Sequence, residues 1–228
     1  MERYRKNIGM LSEAENLLLR EKKAAVIGCG GLGGYILEML ARLGVGALTV
    51  VDGDVFAESN LNRQLLCRVD NLGKSKALEA AEHIRQINPH VQVTTMDIWL
   101  SSENAQGVLQ GHDVVVDALD NVSGRKLLQA ECARLGIPMV HGAIAGWYGQ
   151  VATILPGDDT LDRIYTGERN MGLEEKLGNP SFTPALVASL QVAEVTKLLI
   201  GRGDLLSGGT MLFVDTLSQE FYRLPGER

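Results

Sequence analysis

One stretch constrains this chain more than any other: Lys23-Ala24-Ala25-Val26-Ile27-Gly28-Cys29-Gly30-Gly31-Leu32-Gly33-Gly34, an apolar run that dissolves into glycines and resumes as a helical pattern. It reads as strand, phosphate loop and helix. Gly28 permits the tight turn, Gly30 lets the backbone approach a phosphate with no Cβ in the way, and Gly33 lets the helix pack close to the strand. The helix N-terminus then aims free N–H groups at an anion. About 20 residues on, Val50-Val51-Asp52 closes a second apolar run where a carboxylate would meet ribose hydroxyls. The same loop serves NAD, FAD, S-adenosylmethionine and ATP, so it points to a nucleotide and leaves its identity open.

Length and composition bound the rest. The 228 residues, 45% of them hydrophobic, can bury a full core and read as one domain. A net charge of −6 and a pI near 5.3 argue against a general nucleic-acid or membrane-surface role, so any polyanion site must be local. The three cysteines, Cys29, Cys67 and Cys132, are odd in number and spaced for neither a disulfide framework nor a zinc site. No apolar leader follows Met1, and the most apolar helix, over 183–200, contains Gln191, Glu194 and Lys197, which speaks against a bilayer span. The cytoplasm is the expected compartment.

Ser12-Glu13-Ala14-Glu15 is a capping box that starts a short helix. The basic arm before it, Arg3-Tyr4-Arg5-Lys6-Asn7, is either a solvated terminus or a strap that delivers a cation to a neighbouring site. The helix after the glycine loop ends at Gly44, and the strand over 48–51 closes on Asp52-Gly53-Asp54. A helix over 77–87 carries Lys74 and Lys76 around its start, where cations oppose the helix dipole. They point to solvent, or face an anion of higher charge such as a triphosphate. Asp113-Val114-Val115-Val116-Asp117 is a strand buried on both faces that leads into Leu119-Asp120-Asn121. There Asp120 either holds a magnesium ion on phosphates or caps the next helix. His141 reads as a packed strand residue, since the sequence shows no carboxylate, serine or cysteine partner nearby. The segment 156–180 is polar, glycine-rich and without period, as a lid or mobile loop would be. A final helix and a hairpin, 211–215 with 220–224, close the chain. An alternating strand-helix half followed by a hairpin-rich half predicts an α/β fold, a Rossmann-like mostly parallel sheet flanked by helices with antiparallel strands added at one side.

These motifs together resemble the ThiF/MoeB/HesA family, bacterial relatives of ubiquitin-activating enzymes. They are the glycine loop, Asp52-Gly53-Asp54, Ser59-Asn60-Leu61-Asn62-Arg63-Gln64, Gly73-Lys74-Ser75-Lys76 and Leu119-Asp120-Asn121. The resemblance covers nearly the whole chain. It implies a single adenylation domain over 1–228, with an arm and helix over 1–22, a nucleotide-binding part over 23–155, a crossover loop over 156–182, and a helix and hairpin over 183–228. It further implies ATP with Mg2+, and a ubiquitin-like sulfur carrier whose C-terminal Gly-Gly carboxylate attacks the α-phosphate. That nucleophile is already ionised and needs no general base. Bringing it to a triphosphate requires cations and donors. Carried over, Arg63, Lys76 and Asp120 would be catalytic, with Asp120 on the magnesium. Gly28, Gly30, Gly31, Gly33, Asp52, Asp54 and Asn60 would bind the nucleotide, and Lys6 would reach a partner's phosphates in a homodimer.

Two departures stand out. Many family members carry paired CxxC motifs for zinc and a cysteine in the crossover that accepts the acyl group; no cysteine follows Cys132 here. Zinc and a crossover thioester are therefore not expected, and sulfur would come from another protein. Lys6 stands where the family commonly has arginine, giving charge without a bidentate fork. The alternatives are adenylation of another carboxylate or of a modified tRNA base, a non-catalytic nucleotide-binding partner, and an NAD-dependent oxidoreductase.

Overall fold

The computed structural model describes residues 2–166 and 174–226. The arm, Glu2–Asn7, is a 3-10 turn, and α1 (Glu13–Leu19) follows with the Ser12–Glu15 capping box formed in both directions. Lys23–Ile27 is β1, Gly31–Leu43 is α2, and Ala47–Val51 is β2. Then come α3 (Lys76–Ile87), β3 (Gln92–Met96), α4 (Ala105–Leu109), β4 (Val114–Asp117) and α5 (Val122–Leu135). The second half holds β5 (Met139–Ala145), β6 (Tyr148–Ile154), α6 (Thr160–Ile164), α7 (Glu174–Leu177), α8 (Phe182–Ile200), β7 (Met211–Asp215) and β8 (Glu220–Leu224).

The strands form one eight-stranded sheet in the order β3-β2-β1-β4-β5-β6-β7-β8. The strands from β3 across to β5 are parallel, and β6, β7 and β8 are added antiparallel, with α6, α7 and α8 intervening between β6 and β7. This is the mixed, mostly parallel sheet that the alternation of elements predicts. Because strand side chains alternate faces, each apolar run feeds two cores. Ala24 and Val26 of β1 and Val114 and Val116 of β4 pack with α2, α3 and α8, while Ala25, Ile27 and Val115 pack with α4, α5 and α6.

Ile27 pairs with Val51 on one side and Asp117 on the other, so three strands end in line. Their following loops, starting at Gly28, Asp52 and Ala118, emerge side by side where the strand order reverses. A crevice at such a switch point is where open α/β sheets bind ligands.

Two local differences from expectation have clear causes. Tyr4 is 5% exposed, with its ring against Gly44 (φ +89°), and Asn88 Nδ2 donates to its hydroxyl at 2.8 Å. The arm is anchored by this one aromatic residue, which a periodicity reading passes over. The polar segment after 155 is not structureless: α6 buries Leu161, but five residues are too few to show a period. Residues 167–173, the middle of the predicted crossover loop, lie outside the described residues. Helix α8 is long and apolar enough to cross a membrane by composition, yet more than half of it is buried in the fold. Inside it, Gln191 Nε2 donates to Asp117 O at 2.8 Å, and Glu194 accepts from Thr153 Oγ1 at 2.6 Å and from Leu206 N at 2.8 Å. Those polar residues are internal fastenings of a core helix.

Candidate active site

A cleft of about 500 Å3 opens at the switch point, lined by the glycine loop, the 52–54 turn, Arg63, Gln64, Lys76 and the 118–125 segment. Two glycines of the loop are set by close approach. Gly28 has φ +100°, and a Cβ there would lie 2.6 Å from Ala118 O; a Cβ on Gly33 would lie 1.8 Å from Gly28 O. Gly33 therefore packs α2 onto β1 and does not itself line the cleft, whereas Gly28, Gly30 and Gly31 do. Gly30 caps α2 with no side-chain hydrogen bond, so the donors of the first turn remain for an anion.

Asp52 ties the end of β2 to this loop: its Oδ2 accepts from Cys29 N at 2.7 Å and its Oδ1 from Asp54 N at 2.9 Å. Burial raises its pKa above the ordinary carboxylate value, against the pull of these donors. An ionised carboxylate has room for further donors, such as ribose hydroxyls. The two lysines part company. Lys74 is exposed and 3.8 Å from Glu79, but Lys76, in the first turn of α3, is 7% exposed with Nζ 2.6 Å from Asp54 Oδ2. Asp54 has its pKa lowered: the Lys76 ammonium and the Val55 amide outweigh its partial desolvation.

Arg63 Nη1 donates to Ser59 O at 3.0 Å and to Asn62 Oδ1 at 2.8 Å, which aims the guanidinium along the cleft wall. Asn60 is not among the cleft-lining residues. Its Oδ1 accepts from Ala57 N at 3.0 Å and its carbonyl from Gln64 N at 2.9 Å, so it shapes the turn that presents Arg63 and Gln64. Lys6 is exposed and lies at the far end of α2, where Asn7 Nδ2 donates to Leu43 O at 3.4 Å. The thirteen residues of α2 put about 20 Å between that end and its own glycine loop.

Asp120 is exposed at the cleft, and the cap of α5 belongs to its neighbour: Asn121 Oδ1 accepts from Gly124 N at 2.8 Å. The capping reading of Asp120 was thus one residue out. Behind it lies a buried network that sequence reading does not reach. His141 does have a carboxylate partner, Asp117, whose Oδ2 is 2.7 Å from Nδ1; β4 and β5 bring together residues 24 apart. Burial pushes the His141 pKa down, so the ring is neutral, and its Nε2 faces Gln150 Nε2 at 3.1 Å. Asp117 Oδ1 accepts from Leu119 N at 2.9 Å. Arg125 Nε and Nη2 donate to Leu119 O at 3.1 and 2.7 Å, and its Nη1 donates to Tyr165 Oη at 3.0 Å. Both backbone groups of Leu119 are therefore held, which fixes where Asp120 begins.

The residues fit a nucleotide triphosphate with a divalent cation. Gln64 Oε1 and Asn179 Oδ1, both on cleft-lining residues, are buried without a partner among the described residues, and each awaits a donor. Neither was singled out from sequence, where an amide beside a glycine loop carries no signal. Among the described residues no three His, Cys, Asp or Glu side chains cluster to hold a metal alone. Asp120 could hold one only jointly with phosphate oxygens, as magnesium is usually held. The thiols are unsuited to attack: burial raises the pKa of Cys29 and Cys67, and pushes Cys132 up to about 12.

The chain is similar to several known proteins. A SAMP-activating enzyme E1 of Haloferax volcanii is 36% identical over 231 residues, covering 99% of this chain and 85% of that protein. A sulfur carrier protein adenylyltransferase of Thermus thermophilus is 36% identical over 219 residues, covering 92% and 80%. Among solved structures, the Escherichia coli tRNA threonylcarbamoyladenosine dehydratase superposes with a TM-score of 0.75 at 26% identity, covering 88% of this chain and 95% of that one. Residues 4–228 match the ThiF family as a whole, and the chain belongs to that family.

Proposed function

We propose that this protein is an ATP- and Mg2+-dependent adenylyltransferase that activates the C-terminal glycine carboxylate of a ubiquitin-like sulfur carrier, of thiamine or molybdopterin type, as an acyl-adenylate. The observation that carries the reading is the convergence of an uncapped helix N-terminus, Arg63, buried Lys76 and Asp120 on one cleft. Two cations and a ring of backbone donors hold the triphosphate against an approaching carboxylate, which removes the repulsion between like charges. Asp52 orients the ribose. Asp120 would hold a magnesium ion, which would supply Lewis acidity at the phosphates. Lys76 is held in reserve on Asp54, already desolvated, so it loses little hydration on meeting phosphate.

The chain acts as one adenylation domain, in the cytoplasm, as a homodimer, and hands its product to a separate sulfur donor. The names of the two relatives above, one for SAMP and one for a sulfur carrier, support a ubiquitin-like substrate. A second reading, action on a modified tRNA base, is favoured by the likeness to the dehydratase and opposed by the net charge of −6. The test is ATP–pyrophosphate exchange with a small carrier protein ending in Gly-Gly, the same carrier lacking its last glycine, and tRNA as separate additions. Exchange that needs the intact tail supports the proposal; exchange stimulated by tRNA alone refutes it.

A further inference from the structure

Trp99 stands at the mouth of the cleft with 67% of its surface exposed, on a backbone that is pinned. Asn104 Nδ2 donates to Trp99 O at 2.8 Å, and Asn104 Oδ1 accepts from Ser101 N at 2.9 Å. Beneath the indole lies the Asp52-Gly53-Asp54 turn. A Cβ on Gly53 would sit 2.7 Å from Trp99 N and 2.8 Å from its Cδ1, so ring and turn are in direct contact. A large aromatic side chain, fixed at its root and left exposed at a cleft, is a surface for a flat apolar partner.

The chemistry of that partner follows from its neighbours. Arg63, Lys76 and the glycine loop make one part of the cleft cationic, while Ile98, Leu100 and Leu119 with Trp99 make another part apolar. Asp52 touches both, through the Cys29 amide on one side and through its bond to Gly53 on the other. A molecule with polyphosphate, sugar and planar base in series matches that order.

We infer that Trp99 stacks on the base of the bound nucleotide, an inference that rests on the ATP reading above. Stacking tolerates any base, since each has a π face, so Trp99 supplies affinity for a nucleoside triphosphate over bare triphosphate and not the choice of adenine.

The chain contains two tryptophans, Trp99 and Trp147. Trp147 lies outside the cleft, in the turn between β5 and β6, with its ring 5.1 Å from that of Phe182. The variant Trp147→Phe therefore leaves Trp99 as the sole indole reporter. Its emission is titrated with Mg–ATP and with Mg–tripolyphosphate, while calorimetry follows ATP binding in parallel. Emission should change with ATP and not with tripolyphosphate. In an otherwise wild-type chain, Trp99→Ala should weaken ATP binding and raise the ATP KM of exchange by about tenfold, with kcat little changed, and Trp99→Phe should recover most of the loss. Full ATP binding heat with unchanged Trp99 emission overturns the inference and leaves the ATP reading standing. So does a Trp99→Ala variant with parental ATP affinity, or one that loses kcat at constant KM. Absence of ATP binding in the parent overturns both.

Discussion

On the proposed function, replacing Asp120 by asparagine should separate chemistry from folding, because the cap of α5 belongs to its neighbour Asn121. Asp120 is exposed, and the contact it receives is from Asn121 Nδ2 at 3.3 Å. Losing an exposed contact of that kind is worth no more than about 0.5 kcal/mol. Asn121 caps α5 through Gly124 N at 2.8 Å and also accepts from Ser123 Oγ at 3.1 Å. Asn121→Ala should therefore cost about 1 kcal/mol and lower Tm by about 2–4 °C for a chain of this length. In catalysis the proposed role predicts the reverse order: Asp120→Asn would remove an anionic ligand from the magnesium, and a loss of about 100-fold in exchange corresponds to about 2.7 kcal/mol of transition-state stabilisation. The assay is carrier-dependent ATP–pyrophosphate exchange at several Mg2+ concentrations, with a thermal scan of both variants. If Asp120→Asn melted lower while exchange stayed at the parental rate, Asp120 would be structural and the site assignment would fail.

On the proposed homodimer, with Lys6 too far along α2 to serve its own cleft, mixing Lys6→Ala with Asp120→Asn subunits, each much less active alone, should recover activity. No recovery after demonstrated subunit exchange would remove the arm from the site. His141 is kept neutral by burial, so the unfolded chain gains a proton that the folded one refuses as pH falls below about 6.5. This group's stabilising contribution is therefore present above that pH and lost on acidification, and His141→Gln should flatten the fall of Tm between about pH 7 and pH 5. An unchanged slope would assign the acid sensitivity elsewhere. With every thiol held protonated, a variant with Cys29, Cys67 and Cys132 replaced by Ala or Ser should still catalyse exchange, at a cost of about 1–3 kcal/mol in stability. A reductant-sensitive adduct between this chain and its carrier, mapped to one of the three, would contradict that.

Local signals made many elements of the fold legible. The glycine loop, the Ser12–Glu15 box, Gly44 at the end of α2 and the hairpin over 211–224 each declare themselves within a few residues. The site was legible as far as its charges: Arg63, Lys76 and Asp120 sit in motifs and all line the cleft. What remained hidden depends on strand order or on space. The Asp117–His141 pair exists because β4 lies beside β5. Tyr4 matters because Gly44 leaves a hollow for its ring. Trp99 and Gln64 are residues whose type says nothing until the cleft gives them a place.

The sheet order has a consequence for how the chain is made. Strand β1 is completed early, yet one of its two neighbours is β4, whose residues 114–117 leave the ribosome some 90 positions later. Until then Ala24–Ile27 presents an unpaired apolar edge, the kind that recruits other chains. From β5 onward each strand joins its predecessor, although β6 must wait through α6, α7 and α8 for β7. A nascent chain stalled near residue 100 would accordingly expose this edge to other chains unless a chaperone shields it.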